Sequence, residues 1–150
     1  MFFDRISVAK LLDKDPSEVK IGFTVSSFDL GPHAGHLVML AEAKSLCDYL
    51  IVGLLTDPTV DRPDSKNKPV QSVFERYMQV SSCRYVDEVI PLGCEQDIID
   101  LVLTINPDIR IVGEEYKDKD HTGKGLCPIH YNVRRHSFSS SSLRERVIKS

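Results

Sequence analysis

The sequence predicts an α/β fold, a Rossmann-like parallel sheet with helices on both faces. Two nearly continuous apolar runs, DYLIVGLL at Asp48–Leu55 and DIRIV at Asp108–Val112, are typical of strands buried on both faces. Segments with apolar residues at helical spacing alternate with such runs and give the order β-α-β-α-β-α-β. That order favours a parallel sheet covered by helices. Ligands of these sheets bind beyond the carboxyl ends of the strands.

The first elements surround a glycine-containing loop. Residues 6–13 are predicted to form a short helix, which ends near Asp15-Pro16 because proline disrupts helices. Val19–Val25 (VKIGFTV) is predicted to be a strand. The run Leu37–Lys44 predicts a helix whose apolar face holds Leu37, Leu40 and Ala41.

The middle of the chain continues the alternation. Thr56–Pro69 is polar, contains three prolines and is long for a plain connection, and such loops are often functional. A helix is predicted over Val70–Cys83, with a stripe of Val73, Tyr77 and Val80 and with Phe74 and Met78 beside it. A short strand at Glu88–Ile90 and a helix at 95–105 follow.

The last third begins with the charged, turn-rich segment Glu114–Gly125. Ile129–Val133 is predicted to be a final strand and Leu143–Lys149 a final helix. A chain of 150 residues is long enough for one substantial core. We therefore expect a single domain over 1–150, in which 1–18 is an N-terminal helical extension.

Composition and charge argue against several classes of function. The net charge of −3 and the pI near 5.9 speak against a nucleic-acid partner, which usually requires a basic face. No apolar run approaches the ~20 residues of a membrane span, and the start lacks the apolar core of a signal peptide. The four cysteines show no C-x-x-C spacing, so reduced thiols in a cytoplasmic protein are expected. His121, Cys127 and His130 fit no zinc template, and no protein metal site is predicted.

The most informative motif is a pair of histidines, His33 and His36, three residues apart around Gly35. The pair lies between a predicted strand and a predicted helix. Free backbone N–H groups at the helix start and two imidazoles would then meet at one point, which suits a phosphate. The alternative is a helix N-terminus with two solvated histidines.

Four further features are candidates for a site, and each has a structural alternative. Lysines and arginines on a polar loop are often only solvated surface charges. A serine run before a helix is often an N-cap, and here Ser142-x-x-Glu145 matches a capping box. Together, donors and cations without a nucleophile–base pair indicate phosphate chemistry in which the substrate brings its own nucleophile. The features are Lys66 with Lys68, Arg134-Arg135, Ser139–Ser142 and Gly113-Glu114-Glu115-Tyr116.

This order of motifs resembles the cytidylyltransferases, the branch of the nucleotidyltransferase superfamily that includes glycerol-3-phosphate and choline-phosphate cytidylyltransferases. The H-x-G-H motif is shared more widely, and the late arginine-and-serine motif and the phrase RYVDEV narrow the resemblance. It covers about Lys20–Val147. The motifs that carry it are His33–His36, the lysine-bearing loop, Glu75-Arg76, Cys83–Val89, Gly113–Tyr116 and Arg134–Ser141.

The resemblance implies a nucleotidyltransferase fold and a set of site residues. His33 and His36 would hold the nucleotide phosphates, with Lys66 as the phosphate-binding lysine. Arg134 and Ser140 complete the implied catalytic set. The implied binding residues are Ser26, Ser27, Phe28, Asp29, Gly35, Asp57, Lys68, Arg76, Gly113, Glu115, Tyr116 and Ser139.

The chain departs from the family pattern at two places. Family members usually have Gly-Thr-Phe-Asp and then two residues before the first histidine, whereas this chain has Ser26-Ser27-Phe28-Asp29 followed by Leu30-Gly31-Pro32. Ser137 stands where the family has a glycine. Because serine has a Cβ, it fills space where backbone can pass close to a ligand.

The implied activity is transfer of CMP from CTP to a small phosphomonoester such as glycerol 3-phosphate, with release of pyrophosphate. Mg²⁺ would be bound mainly by the nucleotide phosphates, because this ion keeps its waters and takes few protein ligands. The resemblance also implies a homodimer. Two alternatives stay open: an adenylyltransferase using ATP on a sugar phosphate or on phosphopantetheine, and a non-catalytic nucleotide-binding module.

Overall fold

A computed structural model describes residues 4–150, which form one five-stranded sheet flanked by helices. All paired strands run parallel, in the spatial order β3-β2-β1-β4-β5. The predicted fold class is therefore confirmed. In chain order the elements are α1 (Arg5–Leu12), β1 (Ile21–Ser26), α2 (Ala34–Ser45), β2 (Tyr49–Leu55), α3 (Val73–Ser81), β3 (Glu88–Leu92), α4 (Glu95–Ile105), β4 (Ile109–Gly113), β5 (Ile129–Asn132) and α5 (Ser140–Lys149).

The strands bury side chains on both faces of the sheet. Along β2, Tyr49 and Ile51 pack with α1 and α4, whereas Leu50, Val52 and Leu54 pack with α2 and α3. This two-sided burial explains why β2 is an uninterrupted apolar run. Helix α1 packs in the same core as Tyr49 and Ile51 through the buried Val8 and Ala9.

The strand order changes direction between β1 and β4. The chain moves outward from β1 through β2 to β3, then crosses to the other side of β1 for β4 and β5. The connections after β1 and β4 therefore leave the sheet in opposite directions and open a crevice above their carboxyl ends. No helix among residues 4–150 is long and apolar enough to cross a membrane.

Helix α2 begins earlier than its apolar run predicts. His33 caps it, so the helix starts at Ala34 rather than Leu37. Its buried side chains are Leu40 and Ala43, while Leu37 is 38% exposed. Of the predicted apolar face, Leu40 is confirmed as buried, whereas Leu37 is exposed because the core lies on the side of the helix that carries Leu40 and Ala43.

Helices α3 and α5 also differ from their predicted forms. The buried face of α3 carries Arg76 and Val80, and Phe74 is 72% exposed. Helix α5 starts at Ser140, and its cap is Ser139, whose Oγ accepts from the N–H of Ser142. The predicted cap at Ser142 was wrong, because a run of four serines offers several possible starts and the first of them is used.

Candidate active site

A cavity of about 390 Å³ lies at the carboxyl ends of the strands. Ser26 at the end of β1, Leu55 at the end of β2 and Gly113 at the end of β4 all line it, and so does Asn132 at the end of β5. Its volume is in the usual range for small-molecule sites. The cavity thus occupies the switch point between β1 and β4, where ligands of such sheets bind.

One side of the cavity, the histidine wall, consists of His33, Gly35 and His36 with Arg134 and Ser139. The Nδ1 atom of His33 accepts from the N–H groups of Gly35 at 3.0 Å and of His36 at 3.4 Å. The Nδ1 atom of His36 accepts from the N–H of His33 at 3.2 Å. A neutral imidazole that accepts at Nδ1 carries its proton on Nε2. Both rings therefore have Nε2–H available as a donor at the cavity.

The histidines are electrically neutral at pH 7. Burial lowers the pKa of His36 to about 3, with further lowering from His33 and Arg134. Burial, Arg134 and His136 together lower the pKa of His33. The two rings stack with centroids 3.7 Å apart, an arrangement that two imidazolium cations would resist. The pair is half-buried at a cavity and differs from the solvated pair of the structural alternative.

The loop before His33 has a strained backbone that is held by hydrogen bonds from Arg76. Phe28 and Leu30 have φ of 51° and 56°, a left-handed conformation that is uncommon for such side chains. Arg76, 1% exposed, donates to the carbonyl oxygens of Ser27 at 2.8 Å and of Thr56 at 2.6 Å. These bonds hold the strained turn.

Asp29 links this loop to two other segments. Its carboxylate accepts from the N–H groups of Val70 at 2.9 Å and of Gln71 at 3.0 Å, and from the Arg144 guanidinium. Burial acts to raise the pKa of Asp29, but these three donors outweigh it and hold the pKa below its ordinary value. The Ser140 hydroxyl donates to the Asp29 carbonyl at 2.9 Å. Arg144 was not predicted.

The start of α5 comes close to the start of α2. Arg134 donates to the Phe138 carbonyl, which shapes the turn before Ser139. A Cβ on Gly35 would lie 2.9 Å from Cε1 of His136 and 3.0 Å from the Phe138 oxygen. A side chain at position 35 would therefore crowd the contact between the two helix starts.

The opposite side of the cavity, the arginine wall, consists of Arg62, Glu95, Arg110 and Thr122. Arg62 Nε lies 2.5 Å from Glu95 Oε1, and the Thr122 hydroxyl donates to Glu95 Oε2 at 2.7 Å. Arg110 Nη1 donates to the Thr122 carbonyl at 2.6 Å. None of these four residues was predicted. The available signal was an arginine inside the apolar strand DIRIV, where an unpaired charge is unusual.

The structure brings twelve of the predicted residues to the cavity and places five elsewhere. Lys66 lies at the cavity and donates to the Tyr116 hydroxyl at 3.3 Å. Lys68 does not line the cavity. The Asp57 carboxylate accepts a hydrogen bond from the backbone N–H of Thr59, two residues later in the same turn. At the cavity are Ser26, Ser27, His33, Gly35, His36, Lys66, Gly113, Glu115, Tyr116, Arg134, Ser139 and Ser140. Away from its wall are Phe28, Asp29, Asp57, Lys68 and Arg76.

The candidate metal ligands His121, Cys127 and His130 do not form a metal-binding cluster in the structure. His121 Nε2 is 3.1 Å from the Tyr131 hydroxyl, and His130 Nε2 is 3.5 Å from Glu42. Within the described range 4–150, no three His, Cys, Asp or Glu side chains are placed to hold a metal ion.

Comparison with known proteins matches residues 23–146 to the model of the cytidylyltransferase-like family. Among curated proteins, the chain is 35% identical over 132 residues to the bifunctional protein HldE of Campylobacter jejuni (strain RM1221), covering 87% of this chain and 28% of that protein. It is 41% identical over 97 residues to HldE of Paramagnetospirillum magneticum (strain ATCC 700264 / AMB-1), covering 65% of this chain and 20% of that protein. The chain thus spans less than a third of the length of these relatives.

Solved structures share the fold. A lipopolysaccharide core biosynthesis protein from Thermoplasma volcanium GSS1 superposes with a TM-score of 0.55 at 24% identity, covering 87% of this chain and 88% of that one. A pantoate-beta-alanine ligase from Francisella tularensis superposes with a TM-score of 0.58 at 16% identity, covering 95% and 72%. At these identities, the likeness concerns the fold alone.

Proposed function

Because the chain belongs to the cytidylyltransferase-like family, we propose that it is a nucleotidyltransferase that uses the cavity above β1 and β4. An oxygen of a phosphomonoester attacks the α-phosphorus of a nucleoside triphosphate, and pyrophosphate leaves. The observation that carries the proposal is the pair of neutral imidazoles at the start of α2. Their Nδ1 atoms are occupied by backbone N–H groups, which leaves two fixed Nε2–H donors for phosphate oxygens.

The reaction requires no general base. At pH 7 a phosphomonoester is largely dianionic, since its second pKa is about 6, so the nucleophile is already charged. The enzyme must instead align two anions and stabilise the charge that grows on the phosphate oxygens. Neutral histidines suit this task because they donate hydrogen bonds without giving up a proton.

The remaining donors are distributed around the cavity. Lys66 reaches the cavity from the loop after β2 and supplies a positive charge for the α-phosphate. Arg134, with Ser139 and Ser140 at the start of α5, suits the β- and γ-phosphates, which depart as pyrophosphate. The positive end of the α5 dipole adds to this attraction.

We propose ATP as the donor nucleotide and a sugar phosphate as the acceptor. The similarity to HldE proteins supports adenylyl transfer better than the CTP and glycerol 3-phosphate reaction expected from the sequence motifs. Gly113 and Tyr116, at the end of β4, stand at the cavity edge and are proposed to meet the base or ribose.

Mg²⁺ is proposed to arrive with the nucleotide. Glu95 and Glu115 are carboxylates on the cavity wall, but Arg62 and Thr122 already hold Glu95. Glu115 therefore remains as a protein oxygen that could meet a phosphate-bound ion. The bound ion would neutralise charge on the leaving pyrophosphate.

The test is a matrix of ATP, CTP, GTP and UTP against hexose 1-phosphates, glycerol 3-phosphate and phosphopantetheine, with pyrophosphate release measured. We expect the highest turnover with ATP and a sugar phosphate. Faster turnover with CTP would overturn the choice of donor. Nucleotide binding without pyrophosphate release from any pair would instead identify a non-catalytic binding module.

A homodimer is also proposed, and sedimentation at micromolar concentration tests it separately.

A further inference from the structure

We propose that Arg110 binds the phosphate of the acceptor, so that the arginine wall is the acceptor subsite of the enzyme. This inference rests on the proposed nucleotidyl transfer. The bond that forms joins an acceptor phosphate oxygen to the α-phosphorus of ATP, and the bond that breaks joins that phosphorus to the bridging oxygen. The electron pair leaves with pyrophosphate, and no proton must move.

Arg110 carries a buried charge that no carboxylate among the described residues neutralises. Arg110 is 6% exposed and lies at the cavity, and among residues 4–150 its side chain makes one hydrogen bond, from Nη1 to the Thr122 carbonyl. Its Nε has no partner in the part of the chain that the structure describes, and no carboxylate there forms an ion pair with it. A buried cation without a counter-ion is costly, and an anionic ligand removes that cost.

The neighbours of Arg110 do not supply the missing negative charge. Cys127 and Tyr131 are the nearby acidic groups, and burial raises the pKa of the Cys127 thiol, which keeps it neutral. Glu95, the carboxylate of the arginine wall, is held by Arg62 and Thr122. The wall therefore offers donors to an anion.

Arg110 also lies on the face of the sheet opposite the one that α2 covers. Arg110 on β4 is paired in register with Phe23 on β1, so both side chains stand on the same face of the sheet. Phe23 packs in the core formed with α1 and α4, whereas α2 and its histidines cover the other face. The two walls thus rise from opposite faces of the sheet and meet above the strand ends. Two anions bound on them would approach each other there, as an attack on phosphorus requires.

The probes are inorganic phosphate and glucose 1-phosphate, with glucose as the unphosphorylated control. Binding is measured calorimetrically with the nucleotide site filled by Mg²⁺ and α,β-methylene-ATP, and again without nucleotide. We expect Arg110→Met to weaken the binding of both phosphates by at least about tenfold, the value of a charge-assisted hydrogen bond, and to leave the nucleotide affinity unchanged. Arg110→Lys should restore part of the loss. Arg84→Met, which removes an exposed arginine bonded to Tyr85, is the matched control.

Unchanged phosphate affinity in Arg110→Met, or an equal loss of nucleotide and phosphate affinity, would overturn the assignment. If Arg110→Met does not fold, Arg110→Gln, which replaces the guanidinium with a shorter neutral amide, decides the question by the same titration. The two proposals fail separately. A wild-type protein that binds phosphate through Arg110 but not the ATP analogue refutes the function, and one that binds the analogue but neither phosphate refutes the acceptor subsite.

Discussion

The histidine wall and the arginine wall of the cavity are built in opposite ways. The two histidines of the histidine wall are neutral donors that backbone N–H groups within four residues fix in place. The arginine wall presents charged side chains that fix each other, and its members Arg62 and Thr122 are far apart in the sequence. The histidine pair is a local sequence motif whose geometry is set within one loop. The arginine wall is assembled from distant segments, so each of its residues can be substituted separately during evolution. We infer that the invariant step of the reaction lies on the first wall and that substrate choice lies on the second.

The comparison predicts the largest loss at His36. We expect His36→Ala to lower kcat by about 10²–10³-fold, because a fixed donor to the transition state is removed. Steady-state kinetics and a thermal melt measure the rate and the fold. His130→Ala, which removes an imidazole away from the cavity, is the control. A folded His36→Ala protein with near-normal kcat would remove the histidine wall from the chemistry.

A smaller but sharper difference is expected between two lysines of one loop. Lys66→Ala should lower kcat/KM by about 10–100-fold, because its charge stands at the cavity. Lys68→Ala should change it less than about threefold, since exposed charges away from a site contribute little. If the Lys68 variant is the more damaged, the loop after β2 takes a different register when nucleotide binds.

The serine run separates capping from phosphate binding. Ser139→Ala should lower the free energy of unfolding by about 0.5–2 kcal/mol, because Ser139 Oγ caps α5. Ser142→Ala is the control and should leave stability unchanged, since only its backbone N–H takes part in the cap. Ser140→Ala is expected to lower kcat/KM and also to lower Tm slightly, because its hydroxyl donates to the Asp29 carbonyl. Chemical denaturation and kinetics of the three variants distinguish the roles, and a destabilised Ser142→Ala would move the helix start.

The smallest expected effect is on the pH dependence of stability. Because burial lowers the pKa of His36 to about 3, the unfolded chain takes up its proton first as the pH falls below 6.5. The contribution of His36 to stability is therefore complete above pH 6.5 and declines from there toward pH 3. We expect Tm to fall between pH 7 and pH 5, and the slope to be shallower in His36→Gln. Equal slopes in the two proteins would show that His36 is not buried as a neutral ring.

The fold and the pair His33 and His36 were predictable from the sequence for the same reason: both are visible as local patterns. The apolar run of β2 and the spacing of His33 and His36 are visible without tertiary structure. The start of α5 was not, because each serine of the run can cap a helix. Arg110 and Glu95 could not be joined in advance, since Thr122, which bonds to both of them, lies in a loop that meets them only in the folded protein.

Asp29 has a consequence for how this sequence can vary. Its carboxylate joins the loop before α2, the backbone at Val70 and Gln71, and Arg144 on α5, a helix with no buried side chain. Loss of the acid alone would leave Arg144 without its counter-charge and two N–H groups without an acceptor. Positions 29 and 144 should therefore covary among homologues, so that a relative with a neutral residue at the first also has a neutral residue at the second.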